Sequence, residues 1–287
     1  MAGGPGGQPQ GAAGGQVPKS GASLPVDPDE AFQAELFNTF IGLAPEYLTN
    51  IRQSLLEFWR VVSEADPLSQ LLELYCRVRA LAGSAGIAGL HHLSETTTAL
   101  EVLLKDLYDK PKRINGSTVR TVADAIDVIG ELSQTELDPD WHPPSAIRIL
   151  VVDDDALYRR AILHSLELVA LKAVSLQDPR QALELVKEVV YDLILLDDQM
   201  PEMGGSELCK RIHAEPKNRT TPVIFVSAMT DFTSRARLTL SGGADLVGKP
   251  FLFSELGVKA LTYVWRGQVA KRCTMPGLRA PSAVGAF

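Results

Sequence analysis

The sequence predicts two folded units of different class: an N-terminal all-α helical bundle, then an α/β domain with a five-stranded, parallel, doubly wound sheet. Residues 27–134 carry apolar residues at helical spacing and no strand-like alternation. Residues 147–267 alternate short apolar runs with amphipathic stretches through five βα units, and such units build a parallel sheet covered by helices on both faces. Residues 135–146 break both patterns and contain three prolines, as a linker does.

Composition narrows the function before any motif is read. A chain of 287 residues, 45% hydrophobic and 22% charged, is long and apolar enough for two packed cores. Its net charge of −7 argues against nucleic acid as the main partner, and no helix clusters Lys and Arg as a DNA reader does. The longest apolar runs are strand-sized, and the N-terminus lacks the basic start and apolar middle of a signal peptide. The expectation is a cytoplasmic protein with no membrane partner. Cys76, Cys209 and Cys273 stand far apart without metal-ligand spacing, so they are expected reduced, with Cys76 and Cys209 as core fillers.

In chain order, residues 1–26 are rich in Gly, Pro, Gln and Ala with few large apolar groups, and are expected to be a disordered tail. Helices are expected at 29–42, 45–65, 68–88, 90–109 and 117–134, punctuated by Asp27-Pro28, Ala44-Pro45, Asp66-Pro67 and Lys110-Pro111. Short connections between them suggest an up-and-down bundle. Strands are expected at 147–152, 173–176, 193–196, 223–226 and 244–247, each followed by a helix. Asp178 before Pro179 and Ser254 before the last helix read as N-caps, and Gly242-Gly243 stops the fourth helix of this half. Residues 268–287 carry no output module and are expected to be a second disordered tail.

The chemistry converges on YDLILLDDQMPEMGG at 191–205. Leu193 to Leu196 read as a strand buried on both faces, which delivers Asp197 to the crevice outside the carboxyl end of the sheet, where open α/β folds bind ligands. The other strands deliver Asp153, Asp154, Ser227 and Lys249 to the same edge. Singly, each is more often a turn, a cap or a solvated charge; jointly, at the tips of different strands, they form a site. Three crowded carboxylates repel one another unless a cation neutralises them, and an oxygen-only set with room for water suits Mg²⁺. With Lys249 and the Ser227 hydroxyl the pocket can compensate a phosphoryl group in transfer, with Asp197 as nucleophile.

These residues also carry a resemblance. ILVVDDD at 149–155, LLDDQMPEMGG at 195–205, IFVSA at 224–228 and GADLVGKPF at 243–251, in that order, resemble the receiver domain of two-component response regulators. The resemblance implies a flavodoxin-like fold in which Asp153, Asp154, Asp197 and the backbone carbonyl of Gln199 hold Mg²⁺, Asp197 accepts the phosphoryl group, Ser227 and Lys249 contact it, and Lys249-Pro250 is cis. Asp198 is the rival acceptor, but the family's spacing to Met200-Pro201 selects Asp197 and strand alternation turns Asp198 away. The implied donor is a histidine kinase or a histidine phosphotransfer protein, with readout by contact with an output protein and chemistry confined to the receiver itself. The chain departs from the family at Leu246, where an aromatic ring usually stands, so part of the switching is expected to differ. Met229, two residues past Ser227, is expected to shield the site from water.

The helical half resembles a histidine phosphotransfer domain through VRALAGSAGIAG at 78–89 and LHHLSETTTALE at 90–101. Arg79 stands where the family places its phosphorylated histidine, and a guanidinium is no nucleophile. The expectation is a degenerate bundle with shape but not chemistry, its small residues Ala82, Gly83, Ala85 and Gly86 allowing close helix approach. Two alternatives stay open: a phosphorelay intermediate using His91 or His92, and a scaffold that is never phosphorylated.

Overall fold

The computed structural model describes residues 28–61, 67–137, 146–229 and 232–273. Its N-terminal part holds four α-helices, α1 (Pro28–Val61), α2 (Leu68–Ile87), α3 (His91–Asp109) and α4 (Gly116–Glu136), with a 3-10 turn at Pro111–Arg113. The expected break at Ala44-Pro45 is absent, and one helix replaces two. A proline inside a helix forfeits one hydrogen bond to the carbonyl four residues back. Here that residue is Ile41, 39% exposed, whose carbonyl solvent can serve. The buried stripe Phe40, Ala44, Leu48, Ile51, Leu55 and Phe58 meanwhile continues across the proline on one face, and that packing keeps the helix whole.

Side chains fix the junctions. Asn115 accepts from the backbone N–H groups of Ser117 at 2.8 Å and Thr118 at 3.2 Å, while Thr118 Oγ1 accepts from Asn115 N at 3.0 Å, a reciprocal cap on α4. A Cβ on Gly86 would sit 3.1 Å from Ser94 Oγ, so this glycine lets α2 and α3 close together, whereas Gly83 faces open space. Cys76 corrects an expectation. It is exposed, because the buried positions of α2 are Leu71, Leu74, Val78, Leu81, Ala82 and Ala85, on the other side of the helix. Cys209 is buried as expected, which pushes its thiol up to about 11.

The C-terminal part alternates β1 (Ile149–Val152), α5 (Ala156–Glu167), β2 (Ala173–Leu176), α6 (Pro179–Glu188), β3 (Leu193–Asp197), α7 (Gly205–Ala214), β4 (Val223–Ser227), α8 (Phe232–Leu240), β5 (Asp245–Gly248) and α9 (Phe253–Cys273). All strands are parallel in the order β2-β1-β3-β4-β5, the flavodoxin-like order whose reversal point lies between β1 and β3. Alternation along the strands separates two cores. Val151, Leu195 and Val226 face α5 and α9, while Leu150, Ile194 and Phe225 face α6, α7 and α8. Asp178 caps α6 as expected, and Gly242 ends α8 with φ +101°. The expectations for residues 1–26, for 138–145 of the linker and for 274–287 lie outside the described residues; α9 itself runs past the expected boundary at 267.

The two parts share one core, and α9 is the reason. It packs on α5 and the sheet with one side and on α3 and α4 with the other, burying Leu256, Val258, Leu261, Val264 and Trp265. Polar contacts frame this seam. Ser117 Oγ donates to Glu255 Oε1 at 2.6 Å, and Arg113 Nη1 donates to the Pro250 carbonyl at 3.2 Å. Ser254 does not cap α9 as expected; its hydroxyl donates to Asp106 Oδ2 across the seam at 2.6 Å.

Glu255 is 5% exposed, and burial raises its carboxyl pKa despite the Ser117 hydrogen bond and nearby Lys259. A folded-state pKa above the unfolded one means that the native state binds the proton more tightly, so this group's contribution falls as pH rises from the ordinary glutamate value through the raised one. Glu255→Gln keeps the acceptor and cannot ionise. Its urea midpoint is expected above wild type at pH 7.5, with the gap closing at pH 4.5; a gap independent of pH would refute the assignment.

Candidate functional site

Each strand tip contributes as the topology requires. Asp153 follows β1 and is fully buried, Asp197 ends β3 at 6% exposure, Ser227 ends β4 and is buried, and Lys249 follows β5. Carboxylate oxygens of Asp153, Asp154 and Asp197 all lie within 4.8 Å of one another, an arrangement able to hold a metal ion. Lys249 Nζ lies 2.9 Å from Asp153 Oδ2 and 3.1 Å from Asp197 Oδ1. The acidic run after β1 is divided by role: Asp155 turns outward to cap α5, accepting from Leu157 N at 2.7 Å, and its own N–H donates to Asp153 Oδ1 at 2.9 Å. Lys249-Pro250 is cis, as the resemblance implied.

The electrostatics describe a site short of positive charge. Burial pushes the carboxyl pKa of Asp153 and of Asp197 up, and this outweighs the opposing hydrogen bond and charge of Lys249. Burial would lower Lys249, but the hydrogen bond and charge of Asp153, with the charge of Asp197, raise it and keep it an ammonium. Three carboxylates facing one ammonium leave room for a further cation, and hard oxygen ligands of this kind fit a magnesium ion.

Asp198 points the other way, as alternation predicted. Its buried carboxylate pairs with Arg237 on α8, separate from the acidic cluster. Gln199 donates from Nε2 to Met229 Sδ at 3.4 Å, so these two side chains meet beside the site. Met229 is 46% exposed, and the backbone N–H of Gln199 also favours the ionised Asp197. Leu246 is buried among Leu238, Phe225 and their neighbours, an aliphatic filler at the position where the family carries a ring.

Two contacts were not anticipated. The Tyr158 ring lies 4.3 Å from Lys249 Nζ, a cation–π contact, and Arg159 Nη1 donates to the Asp153 carbonyl at 2.8 Å. Both residues sit in the first turn of α5, immediately after the acidic run, and that adjacency was the available signal.

In the bundle, Arg79 Nη1 donates to Tyr75 OH at 3.3 Å, and Tyr75 OH donates to Glu101 Oε1 at 3.2 Å, so Arg79 belongs to a polar network linking α2 and α3. His92 packs its ring 4.5 Å from that of Trp265, and its backbone N–H donates to Glu136 Oε1 at 3.0 Å. His91 is exposed.

Comparison with known proteins bears on the C-terminal part of the chain. The response regulator receiver domain family describes residues 149–261. The chain is 31% identical over 119 residues to Protein RcaC of Microchaete diplosiphon, covering 42% of this chain and 18% of that protein. It is 32% identical over 131 residues to the signal transduction histidine-protein kinase BarA of Shigella flexneri, covering 46% and 14%. With the uncharacterized transcriptional regulatory protein YrkP of Bacillus subtilis it shares 32% over 121 residues, covering 42% and 51%. The chain thus spans between 14% and 51% of these relatives. Among solved structures, the receiver domain of the Francisella response regulator 1452 is 29% identical with TM-score 0.39, covering 42% of this chain and 98% of that one. The receiver domain of sensor histidine kinase PA1611 from Pseudomonas aeruginosa, solved with a magnesium ion in its active site cleft, is 26% identical with TM-score 0.39, covering 43% and 99%. Residues 149–261 form a response regulator receiver domain, and among the described residues no helix is long and apolar enough to cross a membrane.

Proposed function

We propose that this chain is a cytoplasmic response regulator of a two-component phosphorelay that accepts a phosphoryl group on Asp197 and signals by protein contact. The observation that carries the reading is the meeting of Asp153, Asp154, Asp197 and Lys249 at one edge of the sheet. The donor would be the phosphohistidine of a kinase or phosphotransfer protein. An oxygen of Asp197 attacks its phosphorus, the P–O bond forms as the P–N bond breaks, and the imidazole leaves to take a proton from solvent. Lys249, held over the site by Asp153 and by the Tyr158 ring, moves its ammonium toward the incoming phosphoryl oxygens, and the Ser227 hydroxyl donates to them. Phosphoryl transfer asks for positioning and charge compensation more than for acid–base chemistry, and these side chains supply it. Mg²⁺, held by Asp153, Asp154, Asp197 and the Gln199 carbonyl, would neutralise charge developing on the phosphoryl group. The added negative charge then biases the receiver toward a conformation with different partner affinity.

The bundle takes no part as donor in this reading: Arg79 is no nucleophile, His92 is packed on Trp265, and His91, exposed at the start of α3, is the residue on which a histidine relay would rest. The receiver acts on no substrate but itself. Wild-type chain incubated with acetyl phosphate and Mg²⁺ is expected to gain one phosphoryl group by intact-mass spectrometry, and Asp197→Asn none. An unlabelled wild type would favour the scaffold, and acid-labile label retained by Asp197→Asn would favour a histidine relay; either defeats the proposal.

A further inference from the structure

A cavity of about 500 Å³ separates the Pro111–Arg113 turn and the start of α4 from α8 and the loop joining β5 to α9. Arg113 and Arg120 line it from the bundle, Arg235 and Lys249 from the receiver, and Glu255 is the one carboxylate in the lining. That carboxylate is engaged by Ser117, and Lys249 by Asp153 and Asp197. Two of the guanidinium groups are differently placed. Arg113 uses one donor on the Pro250 carbonyl, leaving most of its five-donor fork. Arg120 is exposed and makes no hydrogen bond or ion pair among the described residues. A chain of net charge −7 therefore gathers three guanidinium groups around one concavity.

Like charges brought around a cleft raise its potential and favour an anion there. The backbone at the start of α4 adds little, because Asn115 already satisfies Ser117 N and Thr118 N, so recognition falls to the arginines. Space is sufficient: the volume is that of a small-molecule site, and even a Cβ on Gly116 would meet nothing within 4 Å. Planar guanidinium forks pair bidentately with phosphate oxygens, and three of them suit a charge spread over two linked phosphate groups.

We propose that this cavity binds a small diphosphate-bearing anion, held by Arg113 and Arg120 of the bundle and Arg235 of the receiver. Such a ligand would bridge the two halves of the chain. It would also bear on the strand-tip site, because Arg113 fastens the carbonyl of Pro250, the residue after Lys249. The proposal does not depend on phosphorylation of Asp197.

The test is isothermal titration of the full chain in metal-free buffer at about 150 mM salt, where exposed charges are screened beyond about 8 Å. Inorganic pyrophosphate and ATP are the probes, citrate the carboxylate comparison. Saturable one-to-one binding of either probe is expected, weakened about tenfold or more by Arg113→Ala and by Arg120→Ala and unchanged in Asp197→Asn. Arg120 is exposed and unbonded among the described residues, so Arg120→Ala is expected to keep the wild-type melting temperature, and Arg113→Ala, which gives up one exposed hydrogen bond, to stay folded with a small decrease; both are checked alongside. Absence of saturable binding, binding that survives both arginine substitutions, or loss of binding in Asp197→Asn would overturn the proposal. Citrate binding as tight as pyrophosphate would overturn its phosphate assignment.

Discussion

Gly205→Ala is expected to destabilise the chain by about 3 kcal/mol or more, toward the upper end of what overpacking costs. A Cβ at this position would lie 2.1 Å from the Asp197 carbonyl oxygen and 3.0 Å from Asp197 C and Asp198 Cα. None of these atoms can rotate aside, because they are the backbone where β3 ends at Asp197. Gly205 N also donates to the Asp198 carbonyl at 2.9 Å, so moving α7 outward would break that bond. Relief requires displacing either the helix or the strand tip, and a displaced tip carries Asp197 away from Asp153 and Lys249. The urea midpoint should fall, and the fraction still folded should take up phosphoryl groups from acetyl phosphate more slowly. Gly204→Ala supplies the contrast. Its Cβ would meet the Asp198 carbonyl oxygen at 3.4 Å, and φ of −67° suits alanine, so a change within about 0.5 kcal/mol is expected. Equal midpoints for the two variants would show that the close approach at Gly205 is not what the chain requires.

The strand tips were legible because alternation and parallel topology are strong constraints. Once 193–196 reads as a doubly buried strand, Asp197 must emerge at the crevice and Asp198 must turn from it, and both do so. Pro45 was misread for a physical reason. Local propensity says break, but the apolar positions before and after it lie on one face, and tertiary burial outweighs one lost hydrogen bond. Tyr158, Arg159 and Arg237 stayed hidden because periodicity tells which helix face is buried, not which strand tip a long side chain reaches. The shared role of α9 was hidden too. Packed on two sides, it lacks the single apolar stripe that marks a helix at a surface, and nothing local distinguishes burial against its own domain from burial against the bundle.

Lys259 in that helix is the residue whose role the sequence conceals most, and Lys259→Met is expected to cost about 3–5 kcal/mol, the range for removing one partner of a buried ion pair. Its side chain is 2% exposed and that of Asp245, its ion-pair partner at the start of β5, is 7% exposed. Asp245 Oδ1 also accepts from Leu246 N at 2.7 Å, which holds the carboxylate in place when the ammonium is gone. Methionine preserves most of the stem's volume, so the loss measures the uncompensated carboxylate rather than a cavity. Asp245→Asn alone should be comparably harmful, since it strands a buried ammonium. The double variant Lys259→Met/Asp245→Asn removes both charges together, and its loss should fall well below the sum of the two single losses. Chemical denaturation of the four proteins at pH 7 provides the cycle. Additive losses, or single losses under about 1 kcal/mol, the scale of an exposed pair, would mean that water reaches these groups in the native state. A strong coupling would instead mark α9 as fastened to the sheet from within, so that the bundle packed on its other side is seated on a fixed surface.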